Sequence, residues 1–178
     1  MASVKTSFAG EKCGVKRLAE MAESALETQI SPLLPGDQLQ LVNLYAGATG
    51  PSLDFLITLQ QQPIGCCWLL RQETCVVGAS WFTCVKGEAE LIDFVIAPSQ
   101  RRQGLGLILL EGCLRRLRAD SIASCHLEVR RSNCAAIGLY QKAGFVIVGQ
   151  RANYYRGQDE AEDAILMRWQ TDEGSARP

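Results

Sequence analysis

The sequence predicts an α/β (α+β) fold: a mixed, mostly antiparallel, twisted sheet with helices on both faces. Three observations carry that prediction. Between Leu53 and Ile96, short apolar runs follow one another with turn residues between them, the pattern of an antiparallel meander. Ile92–Leu117 then passes from an apolar strand through a glycine-containing loop into an amphipathic helix. Cys125–Arg130 returns to strict alternation, so strand, helix and strand form one unit with parallel strands and a right-handed crossover.

The elements are expected in this order. Residues 1–12 are polar and small, either a frayed start or a short first strand. Residues 14–28 read as a helix, with Val15, Leu18, Ala25 and Leu26 at spacings of three and four; Pro32 and Pro35 end that pattern. Asp37 is placed to cap a second helix that runs through Tyr45 and closes at Gly47 and Gly50. Phe55–Leu59 and Ile64–Leu70 read as strands, then Val76–Val85, and the turn Lys86-Gly87-Glu88 makes a hairpin into Glu90–Ile96. The next helix turns Leu110, Cys113, Leu114 and Leu117 inward and Arg115, Arg116 and Arg118 towards solvent. Cys125–Arg130 points Cys125, Leu127 and Val129 one way and His126, Glu128 and Arg130 the other. A shorter helix spans Asn133–Ala143, capped by Ser132 or Asn133 and stopped by Gly144. Phe145–Gly149 is a strand, Asn153–Arg156 opens an acidic loop through Asp163, Ala164–Trp169 is the last strand, and 170–178 is a tail. No repeat or linker divides the chain, so 1–178 is expected as one domain with its core over about 53–169.

Composition narrows the function classes. The chain of 178 residues has 47% apolar and 21% charged residues and a formal net charge of −1, which gives no basic excess for nucleic acid. Its eight cysteines sit mostly inside apolar runs and no leader pattern is visible, so reduced thiols and a cytoplasmic setting are expected. A single histidine and no zinc-like cysteine spacing argue against a metal site, and no apolar run is long enough to span a membrane.

The loop Arg101-Arg102-Gln103-Gly104-Leu105-Gly106 suits a phosphorylated ligand. Its glycines admit backbone to close range, the free N–H groups of the following helical turn favour an anion, and the arginines add positive charge. The plainer reading is a connection that binds nothing. The stretch matches neither the dinucleotide GxGxxG nor the GxxxxGK[ST] nucleotide loop.

Glu128 falls late in its strand, and Tyr140 lies twelve positions on, in the following helix, seven after Asn133. A strand end and a neighbouring helix face can bring a carboxylate, an amide and a phenol to one cleft. There a carboxylate can take a proton from an amine and a phenol can give one to a leaving thiolate. Each has a duller reading, respectively a solvated charge, a helix cap and a core ring. His126 reads as a packed neutral side chain, and covalent catalysis by Cys125 or Cys134 has little support.

The loop RRQGLG with its amphipathic helix resembles the pyrophosphate loop of the GNAT N-acetyltransferases, and LEVRRSNCAAIGLYQKAGF with RANYYRGQDEAEDAILM resembles the RimI-type branch of that family. The likeness covers about residues 64–169. It implies a GNAT fold in which two central parallel strands, Glu90–Ile96 and Cys125–Arg130, splay to admit acetyl-CoA as co-substrate. It implies that Phe94, Val95 and Ile96 pair with the pantetheine arm and that Arg102, Gln103, Gly104, Leu105, Gly106 and Leu107 cradle the pyrophosphate. Asn133 would contact the cofactor, Glu128 would be the general base, and Tyr140 the general acid. Tyr154 and Tyr155 would border the peptide. The resemblance further implies direct transfer, without metal or acyl-enzyme, to a protein N-terminus, an alanine on a small-subunit ribosomal protein; the sequence leaves the oligomeric state open, with a monomer favoured. The N-terminal third departs from the short start usual in that family. Another protein amine or small amine as acceptor, or an acyl-CoA-binding protein without turnover, remain the alternatives.

Overall fold

Lys86 and Gly87 take φ of +50° and +83°. Two such residues form the tight turn whose twist matches paired strands, and here they join Val85 to Glu88. The computed structural model describes residues 28–156 and 161–171. Their strands are β1 (Thr28–Pro32), β2 (Gly65–Gln72), β3 (Cys75–Val85), β4 (Glu88–Ile96), β5 (Ser124–Arg130), β6 (Val146–Arg156) and β7 (Ala161–Gln170). They form one seven-stranded sheet in the order β1-β2-β3-β4-β5-β7-β6. Only β4 and β5 run parallel; every other pairing is antiparallel. The mixed, mostly antiparallel sheet is the one the sequence predicts.

The helices are α1 (Gln38–Tyr45), α2 (Leu53–Gln60), α3 (Leu105–Ala119) and α4 (Cys134–Lys142). They cover both faces. Leu41, Leu44 and Leu56 from α1 and α2 bury against Cys67, Leu69, Ala79, Trp81 and Val95. On the other face α3 and α4 pack Leu109, Leu110, Cys113, Leu117 and Tyr140 against Leu70, Phe82, Leu127 and Met167. Each fully buried leucine contributes about 1.5–3 kcal/mol, so the inward stripe of α3 alone anchors the crossover between the parallel strands.

Several expectations need correction. The helix expected over 14–28 lies outside the described residues, except that Thr28 opens a strand. β1 is an edge strand paired with β2, which suits Pro32, because an edge position tolerates the missing N–H. Phe55–Leu59 is not a strand but the middle of α2. Ser52 Oγ accepts the Phe55 N–H at 3.3 Å, and Leu53, Leu56 and Ile57 turn inward at helical spacing. Asp37 precedes α1 but does not cap it with its side chain. Its Oδ2 accepts the Leu34 N–H at 2.7 Å and Arg71 Nη2 at 2.6 Å. Asn153–Arg156 does not open a loop; it continues β6, and Glu162 and Asp163 already belong to β7. Gln170 pairs with Ser124, and Thr171 is buried with its N–H on Ala123 O, so the tail starts later than expected. Arg116 is not simply solvated: Nη2 donates to Ile30 O at 2.8 Å, tying α3 to the edge strand.

Two irregularities in β4 open the sheet at its centre. Trp81 pairs with Asp93 and Phe82 with Leu91, so Ile92 is an extra residue that bends the strand. The parallel pairing with β5 covers only Glu88↔Ser124, Ala89↔Cys125 and Glu90↔His126. Beyond it both strands continue unpaired with each other, to Ile96 and Arg130. The two central strands therefore splay.

Candidate active site

A groove of about 790 Å³ opens along the unpaired half of β4, a volume usual for a small-molecule site. Among the residues expected at the site, Phe94, Val95, Ile96, Arg102, Gly104, Gly106, Leu107 and Asn133 line it. Gln103 and Leu105 do not. Gln103 Nε2 donates to Ser99 O at 3.3 Å, and the Leu105 side chain is buried in the core, leaving only its backbone for a ligand. Glu128 and Tyr140 stand beside the groove and are not part of its lining.

One end of the groove is built for an anion. Arg101 Nε donates to Ile96 O at 3.0 Å, which fixes the loop to the end of β4. Arg102 and Gly104 follow with φ of +66° and +81°. Left-handed backbone is costly for a residue with a Cβ, and Arg102 holds it at the bend that leads into α3. The Leu107 and Ile108 N–H groups both return to Gly104 O, and the Leu105 and Gly106 N–H groups take no acceptor among the described residues. At Gly106 a Cβ would stand 3.3 Å from Leu139 Cδ2, so glycine there lets α3 and α4 approach. The exposed β4 backbone, the donor-rich turn and the groove volume fit an extended ligand with a phosphate group and an amide-bearing arm.

Glu128 projects from β5 opposite to Leu127 and Val129, away from the α3/α4 side, as alternation predicts. Its Oε1 lies 2.8 Å from Arg151 Nη1 of β6. Arg151 also stands 5.3 Å over the Tyr154 ring. The Tyr154 phenol is held above its ordinary pKa by its hydrogen bond to Glu128 and by that charge. Tyr154 and Tyr155 meet edge to face at 5.1 Å, with Arg130 4.2 Å over Tyr155. These aromatic rings crowd around Glu128 on one lip of the splay.

Tyr140 comes from α4 on the opposite face. Its ring packs against Phe94 at 6.4 Å and Phe145 at 5.8 Å. Burial, then the Asp93 charge, pushes its phenol well above the usual tyrosine range, so it stays protonated at neutral pH. Asn133 Oδ1 accepts the Ala136 N–H at 3.1 Å and caps α4. The cap and the ligand contact are compatible, since the side-chain NH₂ remains uncommitted. Cys125 is buried and its thiol pushed up by that burial, the opposite of an activated nucleophile. His126 Nε2 faces Ser124 Oγ at 3.5 Å.

Sequence reasoning missed the other lip. Asp93, on β4, lines the groove together with Tyr45 and the Gly47–Gly50 segment after α1. Tyr45 Oη donates to Asp93 Oδ2 at 2.5 Å, and Trp81 Nε1 donates to Tyr45 Oη at 2.8 Å. The one available signal was a charged residue inside the apolar run LIDFVI.

Comparison with known proteins points the same way. A model of the acetyltransferase (GNAT) family matches residues 22–145. The ribosomal protein bS18-alanine N-acetyltransferase of Escherichia coli strain K12 is 46% identical over 83 residues, 47% of this chain and 56% of that protein. The chain thus spans about half the length of the curated relatives it matches first. The crystal structure of the ribosomal-protein-S18-alanine N-acetyltransferase from Escherichia coli superposes with a TM-score of 0.73 at 32% identity, covering 80% of this chain and 93% of that one. A GNAT family acetyltransferase from Elizabethkingia anophelis with acetyl-CoA bound shares the fold, with a TM-score of 0.68 at 19% identity over 82% of this chain and 99% of that one.

Proposed function

The chain belongs to the acetyltransferase (GNAT) family, and on that premise we propose that it transfers acetyl from acetyl-CoA to the N-terminal α-amine of a protein, an alanine on a small-subunit ribosomal protein. The observation that carries the reading is the splay of β4 and β5 after Glu90 and His126, with a donor-rich turn at its far end and Glu128 and Tyr140 on either side. The acceptor class rests on the likeness to the bS18-alanine N-acetyltransferases.

In this reading the pyrophosphate rests on the N–H groups of the 102–107 turn, with Arg102 supplying charge. The backbone of Phe94, Val95 and Ile96 takes the amide-bearing arm as a neighbouring strand would. Asn133 holds the cofactor through its free NH₂. Holding the thioester and the amine in one cleft removes much of the entropic barrier.

The acceptor amine attacks the thioester carbonyl. The C–N bond forms and the C–S bond breaks. Glu128 takes the proton that the amine gives up, and Tyr140 Oη gives its proton to the departing thiolate sulfur. A phenol raised by burial suits the second task, because it remains the protonated donor at working pH. Tyr154 and Tyr155 border the side where the peptide enters.

Mass spectrometry tests the reading. The protein is incubated with acetyl-CoA and a short peptide bearing a free N-terminal alanine, beside the same peptide with its amine blocked. One acetyl group gained by the free peptide alone is expected. No gain on either, with CoA still bound, would overturn the peptide assignment.

A further inference from the structure

Asp93 stands on the opposite lip from Glu128. Trp81, its cross-strand partner, belongs to the α1/α2 side of the sheet, and Tyr45 reaches Asp93 from α1. Glu128 points to that same side from β5. The two strands part between them, so each lip of the splay carries a carboxylate on one face.

Their surroundings differ. Glu128 has Arg151 as a counter-charge. Asp93 is half-buried and no described cation pairs with it. Tyr45 satisfies Oδ2, and the Phe94 N–H faces the carboxylate. No described side chain donates to Oδ1. That oxygen stands 3.1 Å from where a Cβ at position 50 would begin, and glycine there leaves it open to the groove. Burying an anion without a cation is costly, and the cost is recovered when a cation arrives. The Trp81–Tyr45 relay fixes the carboxylate so that it does not swing out to water.

We infer that Asp93 is the residue that docks the acceptor: its Oδ1 receives the positively charged amino group before Glu128 removes the proton. The inference rests on the acetyl-transfer reading above and deepens it. It makes Asp93 a determinant of acceptor binding and leaves the chemical step to Glu128 and Tyr140.

Asp93→Asn tests it, because asparagine keeps an oxygen for the Tyr45 hydroxyl while removing the charge. The acceptors are an alanyl peptide, the polyamine spermidine, and an acyl hydrazide that carries no other free amine and is neutral at pH 7. For whichever charged amine the wild type acetylates, Asp93→Asn is expected to raise the acceptor KM about 10- to 100-fold. The KM for acetyl-CoA and the KM for the hydrazide stay close to wild type. Tyr45→Phe raises the charged acceptor's KM less, and CoA binding by calorimetry certifies that each variant is folded. Unchanged KM for the charged amine, or equal loss with charged and neutral acceptors, overturns the inference and leaves the transfer reading standing. A wild type that acetylates no amine overturns both.

Discussion

Arg151 Nη1 stands 2.8 Å from Glu128 Oε1, so the carboxylate proposed as base is also half of an ion pair reaching from β5 to β6. The arginine is half exposed, and ion pairs of that kind contribute about 0–1 kcal/mol. Arg151 therefore orients Glu128 more than it stabilises the fold. Arg151→Met should lower kcat by no more than about fivefold, with Arg151→Lys recovering part of it. Glu128→Gln should lower kcat by about 10²–10⁴ while CoA affinity holds. Steady-state kinetics beside calorimetric CoA titration separates the two.

Tyr140→Phe removes a hydroxyl that has no hydrogen-bond partner among the described residues and keeps the ring that fills the core. Thermal stability should stay near wild type, and kcat should fall about 10²-fold or more. The pH dependence has a definite sign. Burial raises the phenol above the ordinary value near 10, so its donor form persists above that pH. No alkaline loss of activity below about pH 10 should trace to Tyr140. A fall between pH 8 and 9.5 that vanishes in Tyr140→Phe would contradict this assignment.

Gly104→Ala meets no atom within 4 Å but must adopt a φ of +81°. The strain costs about 1 kcal/mol. Relief by rotation would turn away the N–H groups beside it, so CoA affinity should fall while acceptor KM holds. Calorimetry on the variant measures the first, and a peptide titration at saturating acetyl-CoA the second.

Asp37 and Arg71 meet at 2.6 Å with little exposure, joining the approach to α1 to β2. Burial alone would raise the Asp37 pKa. The Arg71 hydrogen bond, the Leu34 N–H and the Arg71 charge together outweigh it and hold the carboxyl below its ordinary value. A depressed folded pKa gives stability that is present above the unfolded value, near 3.9, and is lost as pH falls through the folded one. Asp37→Ala should cost about 3 kcal/mol at neutral pH, and the gap between its melting temperature and that of wild type should narrow only as pH falls below about 4, through the depressed pKa of Asp37.

The legible part of the chain is the part whose signals are local. Leu105–Ala119 shows its period over fifteen residues, Cys125–Arg130 alternates, and Asn133 and Gly144 bracket α4. Phe55–Leu59, inside the helix Leu53–Gln60, reads as a strand from sequence because a short apolar run carries too little period to separate helix from strand. The end of β6 hides for another reason. Val146–Tyr154 is exposed along its whole length at the sheet edge, so no apolar alternation marks it. Asp93 and Tyr45 lie 48 residues apart and Arg116 and Ile30 lie 86 apart. Contacts of that reach are written only in the packing of α1 and α3 on the sheet.

The three-pair contact between β4 and β5 gives this sheet an edge in its interior. An outer edge recruits any strand that drifts past, which is why proteins blunt it with proline or charge. An interior edge lies between two strands of its own sheet, and in the proposed reading its missing rung is the amide-bearing arm of the cofactor. Each turnover would then close the sheet and each release of product reopen it, so the resting enzyme is the one with a seam.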